Sequence, residues 1–262
     1  MRVLFSIFLI LSIFFQTGCS QKDVKYETKK ETISKEFDSD DDFLDEFEED
    51  LELKEVWDPL SGYNRIMTGF NDGVYEYVLS PLAKGYTAIT HKEVRRSVSN
   101  FFHNILYPVR LVNNLLQGKL KNSAEETGRF VINTTVGLFG LFDPAKSYFG
   151  LEPHNEDFGQ TLGYWGVGAG PHIVLPILGP SNLRDTLSFY PDSIFNPTSY
   201  DDDRSYNLVK NYKESIVLKF YKQVNRTAQN PEYYPKLKED AIDLYPYLRD
   251  VYEQYRENQI KE

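Results

Sequence analysis

The chain has 262 residues, a formal net charge of −10, and a single cysteine. One cysteine excludes a disulfide framework, and basic residues dispersed along the chain rather than clustered with aromatics exclude a nucleic-acid interface. The length suits one domain with a real core behind a short N-terminal extension.

Residues 1–18 read as a leader. Arg2 supplies a positive start, and Val3 to Phe15 is an apolar run of about thirteen residues. That is short of the roughly twenty a helix needs to span a bilayer and fits a secretory signal. Thr17-Gly18-Cys19 closes it in a pattern that resembles a bacterial lipobox, although Gln16 stands where such boxes usually carry an aliphatic residue. Cys19 is the candidate lipid anchor, with an ordinary signal peptide and an unrelated thiol as the alternative. By the same resemblance, Ser20 after the cysteine favours the outer membrane.

Residues 19–56 read as an acidic tether. Glu36 to Glu52 holds eleven acids and no base, so the net charge resides in this run and the remainder is close to neutral. Such a run is ordinarily a solvated segment. The sharper alternative is a docking motif, since Phe37, Phe43, Leu44, Phe47 and Leu51 punctuate the acids at near-helical spacing. As a flexible coil it reaches roughly 35 Å from its anchor.

From residue 57 to 262 the periodicity is helical nearly throughout, and the class is all-α. Asp58-Pro59 predicts an N-cap and first helical position. Leu60, Tyr63, Met67, Phe70, Val74 and Tyr77 follow as an apolar stripe, ended by Pro81. A second helix carries Val94, Val98, Phe101 and Ile105 and stops before Pro108. A third carries Val109, Val112, Leu115 and Leu116 and closes at Gly118, and a fourth opens at Ser123. Further helices are expected from Asn182 to about Ile194, from Asp201 to Thr227, and from Pro235 to Asn258 with a bend at Pro246.

Two apolar, glycine-rich passages lack helical period: Asn133 to Ala145 (NTTVGLFGLFDPA) and Gly163 to Pro180 (GYWGVGAGPHIVLPILGP). They are unlike solvent-exposed loops, which favour polar turn residues. They are either packed against the helices or lie along an amphipathic passage or acyl chains. A nucleotide loop is excluded because the glycine spacing is wrong, Pro171 and Pro176 obstruct a following helix, and no base is near.

Chemistry-bearing motifs are scarce. None of the familiar nucleophile, zinc or phosphate-loop patterns occurs, and the four histidines have no metal-ligand spacing. No metal, cofactor or catalytic residue is expected. His154-Asn155-Glu156-Asp157 is read as a helix start with Asn155 as N-cap, the sharper alternative being an acid–base pair. Asn64, Asn71, Asn100, Asn113 and Asn133 sit in or beside helices as caps or bridges, or hydrate a channel.

Several ordered blocks carry a resemblance: DPLSGYNRIM, SNFFHNILYPVRLVNNLLQGK, GRFVINTTVGLFGLFDPA, HNEDFGQTLGYWGVGAGPHIVLPILGPSNLRD and DLYPYLRDVYEQYRENQ. Together they resemble the MlaA (VacJ) family of outer-membrane lipoproteins over most of residues 57–190 and again near 243–259. The resemblance implies a single ring-like helical domain in the inner leaflet of the outer membrane. It implies association with a porin trimer and passage of mislocalised phospholipid from the outer leaflet toward a soluble periplasmic carrier, preserving lipid asymmetry without enzymatic chemistry. On that basis Asn71, Trp165, Gly166, Gly168, Gly170, Pro171 and His172 are expected along the lipid passage. Leu138, Phe139, Leu141 and Phe142 are expected to supply a movable apolar flap. A passage is physically apt: at about 0.8 kcal/mol per methylene, two acyl chains in water would cost over ~20 kcal/mol. The alternatives are a scaffolding lipoprotein that passes no lipid and, with no nucleophile to support it, a phospholipid hydrolase.

Overall fold

A computed structural model describes residues 57–262, and their contacts group them in one unit. The expectations for the leader, Cys19 and the tether lie outside the described residues. The helices are α1 (Ser61–Val74), α2 (Ser80–Ile89), α3 (Lys92–Ile105), α4 (Tyr107–Leu116), α5 (Leu120–Thr135), α6 (Pro144–Phe149), α7 (Phe158–Tyr164), α8 (Leu183–Phe195), α9 (Tyr212–Gln229), α10 (Tyr233–Asp240) and α11 (Leu244–Lys261). One antiparallel hairpin, β1 (His172–Leu175) with β2 (Gly179–Asn182), is the sheet among the described residues; His172 pairs with Asn182 and Leu175 with Gly179.

The packing order closes on itself, and the all-α domain is ring-like. α1 runs into α2, α2 packs on α9, and α9 packs on α3. α3 meets α4 and α5, α4 meets α7 and α8, and α7 and the hairpin meet α11, which also bonds Asp185 of α8 through Tyr252 and Arg256. α11 and the hairpin return to α1. Within this circuit Tyr107 and Phe130 stack with centroids 4.5 Å apart, joining α4 to α5.

Several elements depart from the sequence expectation. Pro81 does not end the first helix. A π-turn over Tyr75–Leu79 lies between α1 and α2, and Pro81 falls in the first turn of α2 where its missing N–H is tolerated. Asp58 caps nothing by its side chain; it accepts instead from Tyr245 Oη and Asn64 Nδ2, fastening α11 to α1. α5 opens at Leu120 rather than Ser123, whose hydroxyl donates back to the Lys119 carbonyl. α7 is capped by Asp157, not Asn155, because the Asp157 carboxylate accepts from Gln160 N at 2.9 Å. α9 begins only after Asn211, whose side chain caps Glu214 N. The last stretch is two helices, not one bent helix: Asp243 caps a new start and Pro246 sits in its first turn.

The interior inverts the usual distribution. Among the described residues, buried polar and charged side chains outnumber buried apolar ones. On α1 the buried positions are Asn64 and Thr68, while Tyr63, Phe70 and Tyr77 of the apolar stripe are exposed. Asparagines make the joints. Asn64 donates to the His172 carbonyl at 3.0 Å and accepts from Val174 N at 2.8 Å, locking β1 onto α1. Asn113 donates to Asp192 at 2.9 Å and accepts from Thr161 Oγ1 at 2.9 Å, locking α4 to α8 and α7.

Candidate functional site

Two apolar surfaces stand on this polar frame. The first is the turn from Val136 to Phe142, between α5 and α6. Leu138 and Phe139 have φ of 52° and 59°, the left-handed region that side-chain-bearing residues avoid at roughly 1–2 kcal/mol each. They nevertheless project outward, Phe139 at 74% exposure. The surroundings hold that conformation in place. Gly140 N donates to Asn133 O at 2.8 Å, Phe139 N to Thr134 O at 3.0 Å, and Phe142 N to Gly137 O at 2.9 Å. Asn100 Nδ2 donates to Leu141 O at 3.3 Å. Gly140, with φ of 86°, passes so close to α3 that a Cβ there would lie 2.4 Å from Asn104 Cβ. The turn is a fastened knuckle presenting Leu138, Phe139, Leu141 and Phe142 together, all exposed.

Beneath the knuckle lies a buried ion network. Arg110 Nε donates to Glu126 at 2.7 Å, and Arg129 donates to Asp143 at 2.8 Å, with Arg129 Nε 3.8 Å from Glu126. Asn133 adds a 2.9 Å bond to Asp143. Burial acts to raise the Asp143 carboxyl, and its bonds from Arg129, Asn133 and Lys146 N overcome this and hold it below the ordinary carboxylate value. Of this network only Asn133 is marked out by the sequence patterns above. The signal for the rest is a polar stripe at three- and four-residue steps: Arg110, Asn113 and Asn114 on α4 with Gln117 as its C-cap, and Glu126, Arg129 and Asn133 on α5.

The second surface runs from Tyr164 to Leu178. Trp165 is exposed and donates from Nε1 to Leu116 O at 3.2 Å, tying the start of the loop to α4. Gly166 and Gly170 have φ of 86° and 71°, whereas at Gly168 a Cβ would meet nothing within 4 Å. Pro171 is half-buried and leads into β1. His172 is buried; its Nδ1 shares a 2.9 Å hydrogen bond with Glu253 of α11. Asn71 is spent on the hairpin turn: it donates to Leu175 O at 2.9 Å and accepts from Ile177 N at 2.6 Å, so Ile177 and Leu178 stand exposed at the tip. Among the described residues, no hydrogen bond joins the two apolar loops. Asn71 belongs with the hairpin, Trp165 to His172 form one run, and residues 138–142 form a separate knuckle.

The His154 cluster is absorbed by structure. His154 Nε2 bonds to Glu125 at 2.6 Å, Glu156 accepts from Gln117 and Lys119 at 2.7 Å each, and Asp157 pairs with Arg256 at 2.7 Å. No group of three or more metal-ligating side chains is assembled among the described residues. Nor is any helix of the described residues long and apolar enough to cross a membrane. Exposed aromatic and aliphatic side chains thus surround a ring whose joints are polar, the arrangement of an all-α, ring-like protein.

Comparison with known proteins narrows this class. A family model described as MlaA lipoprotein matches residues 56–259. The chain belongs to the MlaA lipoprotein family. It is 38% identical over 144 residues to the intermembrane phospholipid transport system lipoprotein MlaA of Escherichia coli K12, covering 51% of this chain and 57% of that one. An uncharacterised protein of Rickettsia typhi is 37% identical over 183 residues, covering 68% of this chain and 72% of that one. A solved structure described as the structural basis for maintenance of bacterial outer membrane lipid asymmetry aligns with a TM-score of 0.66 at 30% identity, covering 78% of this chain and 98% of that one.

Proposed function

We propose that this protein is an outer-membrane lipoprotein, anchored through Cys19 on the periplasmic face. It passes mislocalised phospholipids from the outer leaflet through an amphipathic channel toward a soluble periplasmic carrier, and so maintains lipid asymmetry. Some of its relatives, those of Shigella flexneri and Escherichia coli among them, are phospholipid-transport lipoproteins by name. In this reading it works beside a porin trimer, residues 19–56 act as the tether, and no covalent chemistry occurs.

The observation that carries the reading is the inverted ring: buried polar joints with exposed apolar side chains, among them the knuckle at 138–142 and the tip at 177–178. Exposed apolar area costs about 25 cal/mol per Å² in water, a cost removed where the neighbour is acyl chain. The knuckle and the Trp165–His172 loop are the segments assigned to the lipid.

Deleting the gene and labelling phospholipid accessible from outside the cell tests it. Outer-leaflet phospholipid is expected to rise on deletion and to fall when the full chain is restored, but not when Cys19→Ala is supplied. Unchanged outer-leaflet phospholipid in the deletion strain overturns the assignment.

A further inference from the structure

The helix α9 carries Lys219, Lys222 and Arg226 at steps of three and four residues, which places them on one face. None of the three has a carboxylate partner within ion-pair distance among the described residues, although most of the buried arginines elsewhere do. Lys219 is held by Ser199 Oγ, at 3.1 Å. Lys222 is exposed to solvent, yet burial lowers its ammonium to about 8, with Arg226, Arg110 and Lys219 adding repulsion. All three side chains stand on the exposed face of α9.

Among the described residues no carboxylate neutralises this cluster: the one at Arg110, Glu126, is already shared with Arg129. About a quarter-turn away on α9, Tyr212, Ile216 and Phe220 form an exposed apolar ridge at four-residue steps. One helix therefore offers a cationic ridge and an apolar ridge side by side. Repelling cations held on one face without carboxylate partners among the described residues are a site for an anion that arrives from outside.

We propose that Lys219, Lys222 and Arg226 form a phosphate-recognising stripe that favours net-anionic phospholipid headgroups over zwitterionic ones during passage. The inference rests on the transfer function proposed above and adds headgroup selection to it. A zwitterionic headgroup brings its own ammonium, which the stripe repels, while a headgroup of net negative charge does not. Free inorganic phosphate shares the recognised chemistry and is separated by experiment.

The full chain is reconstituted in vesicles that contain phosphatidylglycerol and phosphatidylethanolamine together, each with a photo-crosslinking acyl chain, and the ratio of the two lipids captured is measured. Because both lipids compete in one sample, the ratio does not depend on how much protein is folded. The wild type is expected to capture phosphatidylglycerol beyond its share of the vesicle. Lys222→Gln is expected to lower that preference by roughly fivefold, the effect of one cation near a lipid headgroup. The triple variant K219Q/K222Q/R226Q is expected to abolish it, and Lys222→Arg to retain it. An unchanged ratio in the triple variant overturns the proposal, as does wild-type capture in proportion to vesicle composition. Inorganic phosphate bound by the wild type but not the triple variant, with no lipid preference in either, reassigns the stripe to a free anion and overturns the headgroup role. Capture of neither lipid by the wild type overturns the transfer function itself.

Discussion

Glu126 of α5 accepts a 2.7 Å hydrogen bond from Arg110 Nε of α4, and Glu126 is fully buried. Its other oxygen accepts from His154 N at 2.7 Å, so one carboxylate joins two helices and the strand of chain that leads to α7. Glu126→Ala strands Arg110 as a buried, uncompensated charge, and a loss of about 3–5 kcal/mol is expected. Thermal unfolding followed by circular dichroism measures it. Arg110→Met combined with Glu126→Leu is expected to recover a large part of the loss, since no charge is then left unpaired.

The knuckle trades stability for exposed apolar side chains. Leu138→Gly and Phe139→Gly relieve left-handed backbone strain and surrender little burial, so each is expected to raise stability by roughly 0.5–1 kcal/mol once glycine's extra entropy in the unfolded chain is counted. The same variants are expected to lower phospholipid capture. A melting temperature that rises while capture falls is the signature; capture unchanged in both variants removes the knuckle from the lipid path.

Glycine positions separate cleanly. Gly140→Ala forces a Cβ into Asn104 at 2.4 Å from a φ of 86° and is expected to cost more than about 2 kcal/mol. Gly168→Ala meets nothing within 4 Å and is expected to change stability by less than about 0.5 kcal/mol. Parallel melts of the two variants check the contrast.

Asp192 accepts from Phe158 N and Asn113, and burial pushes its carboxyl up to about 6, aided by the charge of Asp157. Its unfolded value is near 3.9, so the folded state binds this proton more tightly. The contribution to stability therefore grows as pH falls from above 6 toward 4. Asp192→Asn is expected to abolish that portion of the pH dependence. The difference in melting temperature between wild type and variant should change across pH 5–7; a constant difference contradicts the assignment.

Asp185 behaves oppositely. Burial acts to raise its carboxyl, but the hydrogen bond and charge of Arg256, with Arg184 and Tyr252, hold it below the ordinary value. Its stabilisation is present above the unfolded pKa near 4 and is lost as pH falls through the lower folded value. Arg256 bridges Asp185 to Asp157 at 2.8 and 2.7 Å, so this loss would loosen α11 from α7 and α8. Asp185→Asn is expected to destabilise at neutral pH and to flatten the acid limb of the melting profile.

Much of the ring is legible as helix because capping and periodicity are local. Asn182 caps α8, Gly118 closes α4 with φ of 72°, and α3 stops at Ile105 ahead of Pro108, all from neighbours in sequence. Local rules also placed Asn64, Asn113 and Asn133 as bridging residues. Which apolar stripes face inward is not local. Tyr63 and Phe70 repeat as a core-facing stripe would, yet they are exposed and Asn64 is buried. Pattern reports only that two faces differ; the medium each meets is set by the neighbours the ring supplies.

Sequence alone determined the helical class, several helix ends, the two irregular apolar passages and the family resemblance, because each depends on residues a few positions apart or on ordered motifs. Only the tertiary structure decided that the knuckle's left-handed residues are fastened outward, and that Asn71 is committed to a hairpin 104 residues away. It alone brought Arg110 to Glu126 and left the cations of α9 without carboxylate partners among the described residues. Those outcomes depend on which distant polar groups satisfy one another, and hydrogen-bond pairing between separated segments has no signature in spacing along the chain.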